Sequence, residues 1–488
     1  MYLRELLLGI QYILVKGNID IQIQGVCYDS RNVIPGSLFV AIKGFQQDGN
    51  KYIVSAIKRG ASVIIYEEMP EIYYEYITYI QVDNCRRVLS KLASNYYGNP
   101  TSRLKVIGVT GTNGKTSTCL ILQHILNFSE VKTGYIGTIG NRYDEYHKDT
   151  NHTTPEATTL QQLMYEMLKI GVKYVIMEVS SHAIKLYRVA DIQFKSAVFT
   201  NLTLDHLDFH DTMKEYFEVK KKLFYMTEDF NVVNIDDQYG QELSQELKAD
   251  NLTAIEYGIN KKSDVWAQKI QYSEEGTRFL YTHHGEEMMM ECPILGKFMV
   301  YNLLAAIAIA EWEGVPLLTI KEAIKKLPSI PGRLEKIHIN KTYHVFIDYA
   351  HTPDGLRNVL ETLKDMAKGR IVVLFGCGGD RDRSKRKIMG KIAGELTDYC
   401  IITSDNPRSE NPNKIIEDIL VGIKETSSAF VVIPDRYKAI KYALKFAKDN
   451  DLILLAGKGH ETYQILKDKI ITFDEKEIIK EILENDSN

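Results

Sequence analysis

Residues 106–118 read VIGVTGTNGKTST, and their interpretation decides the fold. The β-branched run KVIGV predicts a strand, and KTSTCLILQHIL predicts a helix with apolar residues at 120, 121, 122, 125 and 126. Strand, glycine turn, Lys-Thr and helix make the setting of a phosphate-binding loop. Glycines let backbone N–H groups curl around phosphate oxygens, and the helix start adds its positive end. The spacing departs from the standard loop, which needs Gly five residues before Gly114, where this chain has Val109. The glycines stand at 108, 111 and 114 instead. On this reading Gly111, Thr112, Asn113, Gly114 and Ser117 surround phosphate, Lys115 reaches its outer oxygens, and Thr116 offers a hydroxyl to Mg²⁺. An ordinary glycine turn is the bland alternative.

The same strand-then-polar-turn rhythm runs along the chain. Its 488 residues suggest about three domains. Residues 1–100 alternate short β-like runs (SLFVAI, ASVIIY, YITYIQV) with helical patterns and close at YYGNPTSRL. Residues 101–332 carry LKVIGVT, KYVIMEV, SAVFTNL and NVVNID, the rhythm of a parallel α/β sheet, and end where Pro328 and Pro331 break any helix. Residues 333–488 repeat it with HVFIDY, RIVVLFG, DYCIITSD, FVVIPD and DLILLAG. The apolar N-terminus, MYLRELLLGIQYILVKGNID, is interrupted by Glu5, lacks a cleavage site and reads as a packing helix. No apolar run approaches the roughly 18 residues of a membrane span. A net charge of −4 offers no case for nucleic acid. Six scattered cysteines form no CxxC pair and suit the cytoplasm.

Polar clusters follow the strand-like runs, where open α/β sheets bind ligands. Glu178 ends KYVIME, where a carboxylate can reach a metal; a surface charge is the alternative. His206 and His210 have i, i+4 spacing, but Leu207 stands where a zinc protease needs Glu. Of the three lysines at 220–222, Lys220 falls within the apolar stripe of Tyr216, Phe217, Leu223 and Phe224, while Lys222 points away. Burial disfavours an ammonium, and a neutral amine can take up CO₂ to become an oxygen ligand for Mg²⁺; a snorkelling lysine is the alternative. GCGGDR (376–381) fails the dinucleotide pattern because Arg381 replaces the third Gly. An arginine after a glycine turn suits a carboxylate-bearing substrate.

GVTGTNGKTST resembles the ATP-binding signature of the Mur ligase family, which has the shifted glycine spacing. About eight motifs in the family's order, spread over all three blocks, carry the resemblance. It implies an α/β fold of three domains: a small N-terminal domain for a UDP-sugar substrate, a central P-loop-type ATPase domain and a Rossmann-like C-terminal domain for the incoming amino acid. It implies ATP and Mg²⁺, with Lys115, Lys220 and His206 catalytic and with Thr116, Glu178, His206 and Lys220 as a carbamate around the metal. Asn201 and Asp205 join the nucleotide and metal site, with Asn302 near adenine, Arg333 near the phosphates, and Asp348 and His351 on the nucleotide. Ser30, Gly44, Thr153, Thr154, Ser180 and Arg188 resemble contacts to the UDP-linked substrate. Two departures stand out: the family's DGH reads Asp48-Gly49-Asn50 here, and His152 replaces a frequent Asn.

Asp405-Asn406-Pro407-Arg408, accompanied by Gly457 and Glu461, resembles the signature of members that add meso-diaminopimelate. That amino acid has a far carboxylate which lysine lacks, and Arg408 and Arg381 suit it, with Glu461 for the far ammonium. The resemblance thus implies a cytoplasmic, monomeric ligase joining meso-diaminopimelate to a UDP-linked muramoyl dipeptide through an acyl phosphate. Lysine addition, folate polyglutamylation and non-catalytic nucleotide binding remain alternatives at this point.

Overall fold

The computed structural model describes residues 1–44, 47–69, 73–150, 152–273 and 276–485. Phe45 and Gln46 of the uridine-type stretch, and Asn151 of NHTTPEAT, lie outside them. The chain forms two compact units, one of residues 1–110, 130–198 and 218–231, the other of 111–129, 199–217 and 232–488.

In the first unit, a five-stranded sheet runs in the order Ile13–Lys16, Thr78–Gln81, Ala61–Tyr66, Ser37–Val40, Gly25–Cys27. Its first pair is antiparallel and the others are parallel. The expected N-terminal packing helix is confined to Leu3–Leu6, and Ile13–Lys16 is an edge strand. Gly9, at φ +74°, turns the chain between them, and the β-branched Ile13 and Val15 suit pairing with Thr78–Gln81. The unit's second group of strands places Phe194–Phe199, Lys105–Thr110, Tyr174–Glu178 and Thr133–Gly137 side by side. Lys105–Thr110 and Thr133–Gly137 both pair parallel with Tyr174–Glu178, as a βαβ rhythm requires. Two short antiparallel strands, Gly140–Tyr143 and Tyr146–Lys148, extend it. Every residue of Tyr174–Glu178 is buried, so Glu178 reaches its position at the end of a fully apolar strand.

The second unit holds a six-stranded sheet ordered Glu335–Ile337, His344–Asp348, Leu452–Ala456, Ile371–Phe375, Tyr399–Ile402, Ala429–Val432. All but the first pair are parallel. Side chains alternate between its two apolar layers: Phe346, Val373 and Leu454 face one, and Val345, Ile347 and Leu374 the other. Here the sequence rhythm corresponds to the observed strands. It does not between residues 265 and 292, where the expected parallel pattern gives way to an antiparallel ribbon, Val265–Ser273, Gly276–His283 and Glu286–Cys292. Val265–Ser273 alternates more and less buried residues, the mark of a strand with one solvated face.

One buried ion pair fastens the C-terminal helix. Arg436 Nε donates to Glu475 Oε1 at 2.8 Å, and Arg436 Nη2 donates to the Ala456 carbonyl at 2.9 Å. Both side chains are sealed from solvent. Removing one partner of such a pair strands the other, at a cost of about 3–5 kcal/mol. Arg436→Ala should therefore lower the urea midpoint of the unfolding transition that includes the six-stranded sheet by a corresponding amount, read by fluorescence or circular dichroism.

Candidate active site

The strand Lys105–Thr110 ends where the glycine loop begins, and the helix Lys115–Phe128 follows. Gly111 and Gly114 hold φ of +146° and +86°. A Cβ at Gly111 would strike the Thr200 hydroxyl, and one at Gly114 would strike Asn302 Oδ1. The loop is braced from outside: Thr200 Oγ1 donates to the Asn113 carbonyl at 2.6 Å, and the Asn113 N–H donates to Asn201 Oδ1 at 2.9 Å. Asn113 Nδ2 reaches Asp354 Oδ2 at 3.0 Å. Lys115 curls back over the loop, donating to the carbonyls of Gly111 and Thr112 at 2.9 and 2.8 Å. Arg333 Nη2 donates to Thr116 Oγ1 at 3.1 Å, while its buried Nε has no hydrogen-bond partner among the described residues. Thr116 and Ser117 are buried in the first helical turn. Asn302 lies under the loop, within 3.4 Å of Thr118 Oγ1.

Asp348 is buried and accepts the Ala350 N–H at 2.7 Å and the Leu334 N–H at 2.5 Å, so it anchors the turn that carries Arg333. Burial pushes its carboxyl up to about 6, against the pull of Arg333. A further cluster gathers around Asp205. Burial alone would raise this carboxyl, but the charges of His206, Lys385 and His351 outweigh it and hold it below the usual carboxylate range. Lys385, almost wholly buried, lies 3.6 Å from Asp205 Oδ1. His351, with Nδ1 2.8 Å from the Tyr349 carbonyl, is pushed down to about 4 by burial and by Lys385. His206 stands at φ +57° with Nε2 3.5 Å from Asp205 Oδ2.

In the first unit, Glu178 is fully buried and accepts hydrogen bonds from Tyr135 OH (2.6 Å), Thr138 N–H (2.9 Å) and Thr138 Oγ1 (3.0 Å). Thr138 Oγ1 lies 3.0 Å from Thr153 Oγ1. Thr154 Oγ1 donates to the Glu178 carbonyl at 2.7 Å and accepts the Ser180 N–H at 3.1 Å. Arg188 Nη1 donates to the Thr154 carbonyl at 2.9 Å, and Nη2 pairs with Glu156 at 2.7 Å. The structure thus gathers Thr153, Thr154, Ser180 and Arg188 beside Glu178. Tyr28 and Arg86 belong to the same field: burial and Glu156 raise the Tyr28 phenol, and burial depresses Arg86 with Arg188 adding to it. Burial, again with Arg188, depresses His152. Ser30 opens the turn Ser30–Asn32, capped by Asp29, and Gly44 donates its N–H to the Gln47 carbonyl at 2.9 Å. Lys220 is 1% exposed, and its Nζ lies 3.3 Å from Thr110 Oγ1, which donates to the Val179 carbonyl at 2.8 Å. Lys222 is exposed.

In the C-terminal sheet, Asn406 is the hub. Its Nδ2 donates to Glu461 Oε2 at 2.9 Å, and its Oδ1 accepts the Ile465 N–H at 2.9 Å. Lys458, fully buried, reaches Asn406 Oδ1 at 3.3 Å and Glu461 Oε2 at 3.1 Å. Gly457, at φ +108°, passes so close to Asp405 that a Cβ would lie 2.6 Å from its carboxylate. Arg408 has φ +51° and donates from Nη1 to the Gly379 carbonyl at 2.7 Å. Burial and then Arg381 lower its basicity, against the opposing pull of Asp405, Glu461 and Asp380. Beside Pro407 and Arg408 opens a cavity of about 430 Å³, also lined by Lys467.

Family models match three stretches of the chain: "Mur ligase family, catalytic domain" residues 22–97, "Mur ligase middle domain" 109–310, and "Mur ligase, glutamate ligase domain" 332–459. The chain belongs to the Mur ligase family. Its fold is that family's α/β architecture of three domains. Curated Mur ligases named UDP-N-acetylmuramoyl-L-alanyl-D-glutamate--2,6-diaminopimelate ligase are 49% identical in Caldanaerobacter subterraneus and 45% in Clostridium tetani, with 99% of this chain and of each relative covered. A solved structure titled with the same ligase name is 30% identical, with a TM-score of 0.70 over 100% of this chain and 99% of that one. A MurF ligase from Thermotoga maritima in complex with ADP shares the fold at a TM-score of 0.66, with 18% identity, covering 94% of this chain and 97% of that one. The chain is thus an ATP-dependent ligase of this family. Among the described residues, no helix is long and apolar enough to cross a membrane.

Sequence reasoning missed Tyr28, Arg86, Lys385 and Lys458 as site residues. Lys458 was within reach, since it lies between Gly457 and Glu461, both named from the sequence.

The His351 environment sets a pH dependence. Between pH 6.5 and about 4 the unfolded chain takes up a proton on this imidazole that the folded chain refuses, so lowering the pH through this window removes stability. Asp348 acts in the opposite sense below about pH 6. His351→Gln should lose less stability than the wild type between pH 7 and pH 4, measured by denaturant unfolding; equal losses would contradict the assignment.

Proposed function

We propose that the chain joins meso-diaminopimelate to the D-glutamyl γ-carboxylate of UDP-N-acetylmuramoyl-L-alanyl-D-glutamate at the expense of ATP. The observation that supports the choice of amine is the Arg381–Arg408 pair: two guanidiniums on adjoining loops, close enough that Arg381 adds to the burial that lowers Arg408, a setting that suits an anion. Lysine offers no such anion, whereas a second carboxylate can accept paired N–H bonds. Glu461, held by Lys458 and Asn406, takes the far ammonium. The domains are assigned as 1–100 for the UDP-linked substrate, 101–332 for ATP and 333–488 for the amino acid.

The chemistry follows from charge placement. ATP phosphate is held by the N–H groups of residues 111–114 and by Lys115, which exchanges its two carbonyl partners for phosphate oxygens. Arg333, with an unused Nε, adds a second cation. The γ-carboxylate attacks the terminal phosphorus and ADP leaves, giving an acyl phosphate. The amine then attacks the acyl carbon, a tetrahedral oxyanion forms, and inorganic phosphate departs. The protein orients the groups and neutralises developing charge, with no covalent link to substrate.

Glu178 and Lys220 fit a hard cation, for one is a carboxylate and the other, buried beside Thr110, becomes an oxygen donor as a carbamate. Each would offer an oxygen to Mg²⁺, which neutralises phosphate charge when bound. Thr153, Thr154, Ser180, Arg188, Ser30 and Gly44 take the UDP-linked substrate. The enzyme works as a cytoplasmic monomer.

Phosphate release with the UDP-linked dipeptide, ATP and either meso-diaminopimelate or L-lysine tests the reading. Diaminopimelate should be used at least about 10²-fold more efficiently, and equal rates would overturn it. Arg408→Ala should raise KM for diaminopimelate on the order of 100-fold and leave KM for ATP unchanged. Lys115→Ala should abolish phosphate release with either amine; retained turnover would sink the loop assignment.

A further inference from the structure

Two loops carry the arginines of the amine site, and neither is held by the sheet alone. Residues 378–381 follow the strand Ile371–Phe375, and residues 405–410 follow Tyr399–Ile402. Each contains a residue with a side chain in left-handed backbone, Asp380 at φ +52° and Arg408 at φ +51°. Such conformations persist only where surrounding structure enforces them. The loops enforce each other: the Gly379 N–H donates to the Asn406 carbonyl at 2.9 Å, and the Ser409 N–H and Oγ donate to the Asp380 carboxylate at 3.0 and 2.7 Å. Glu410 closes the seam by accepting the Asp380 N–H at 2.6 Å.

Glu410 is held by Arg386, in the first turn of the helix Ser384–Leu396, and from the exposed side by Arg383 Nη2 at 3.1 Å. The Arg386 guanidinium is 1% exposed. It donates to Glu410 Oε2 at 3.1 Å and Oε1 at 2.8 Å, to the Gly378 carbonyl at 3.2 Å, and to Asp418 Oδ2 of the neighbouring helix at 3.0 Å. Arg386 does not itself line the cavity, but its partner Glu410 does. We infer that Arg386 is a positioning residue for amino-acid selection, clamping both loops through Glu410 so that Arg381 and Arg408 meet the far carboxylate as a preformed pair. The planar fork matters, since an ammonium cannot serve two carboxylate oxygens and a carbonyl in one plane.

This inference rests on the reading that Arg381 and Arg408 take the far carboxylate. The test uses the full chain with Arg386→Lys and, as a gentler probe, Glu410→Gln. Both should raise KM for diaminopimelate about tenfold or more and narrow the diaminopimelate-to-lysine preference, with kcat and the KM values for ATP and the UDP-linked dipeptide within about twofold. Combining Arg386→Lys with Arg408→Ala should add less than the product of the two separate effects, because the pair that the clamp positions is then already broken. A uniform fall in kcat for both amines, tracking a lowered thermal midpoint, would mark a structural role only and overturn the inference. So would an unchanged preference in both variants while Arg408→Ala alters it. If Arg408→Ala leaves the preference untouched, the carboxylate reading itself fails.

Discussion

The glycine loop must present bare N–H groups to phosphate while hiding none of its own carbonyls unpaired, and much of the second unit is arranged around that requirement. Gly111 and Gly114 meet neighbours where a Cβ would collide. Asn113, between them, has its N–H, carbonyl and side chain engaged by Asn201, Thr200 and Asp354. Each bond removes a freedom that the loop would otherwise lose on binding, so the entropic cost falls during folding instead. Lys115 completes the preparation: its ammonium rests on loop carbonyls until a better anion arrives.

Around the loop, charge is buried in unequal measure, and the inequality is functional. Asp205 sits among Lys385, His206 and His351, and the cations prevail over its desolvation. Asp348 sits deeper, where desolvation prevails over Arg333. Two carboxylates in one unit are thus driven in opposite directions, the first kept ionised beside cations and the second used as an acceptor for backbone N–H groups. A phosphoryl-transfer site needs fixed dipoles and cations more than it needs acid–base groups, and most of these residues serve to hold something still.

Local signals carried much of this into the sequence. The strand–glycine–helix order of residues 105–128 is a matter of neighbours in the chain, and so is the phase that places Lys220 among Tyr216, Phe217, Leu223 and Phe224, all buried. The strands of the six-stranded sheet were legible because strands buried on both faces read as continuous apolar runs. The antiparallel ribbon at 265–292 was not, since its alternating polar residues dilute that signal. The N-terminal patch misled because one apolar run served two elements, split at Gly9. Lys385 and Arg386 were opaque for another reason. Within RSKRK four of five residues are basic and look like a solvated face; only the packing of their helix shows two of them to be buried.

That burial separates two kinds of specificity. The phosphate loop recognises a group common to all nucleotides and does so with main-chain donors, which no substitution of side chain can retune. The amine site, on the reading proposed above, would recognise one carboxylate on one amino acid with side chains, on loops that hold Asp380 and Arg408 in left-handed backbone. A lone exposed arginine would pair loosely with any acid, for surface ion pairs contribute little. Arg408, partly desolvated and lowered in basicity by burial and by Arg381, stands on a loop held by buried partners, a setting that a correctly placed carboxylate relieves. Discrimination then comes from the strain of the unliganded site as much as from the contacts of the liganded one, which is why the rigidity of those loops bears on the choice of substrate.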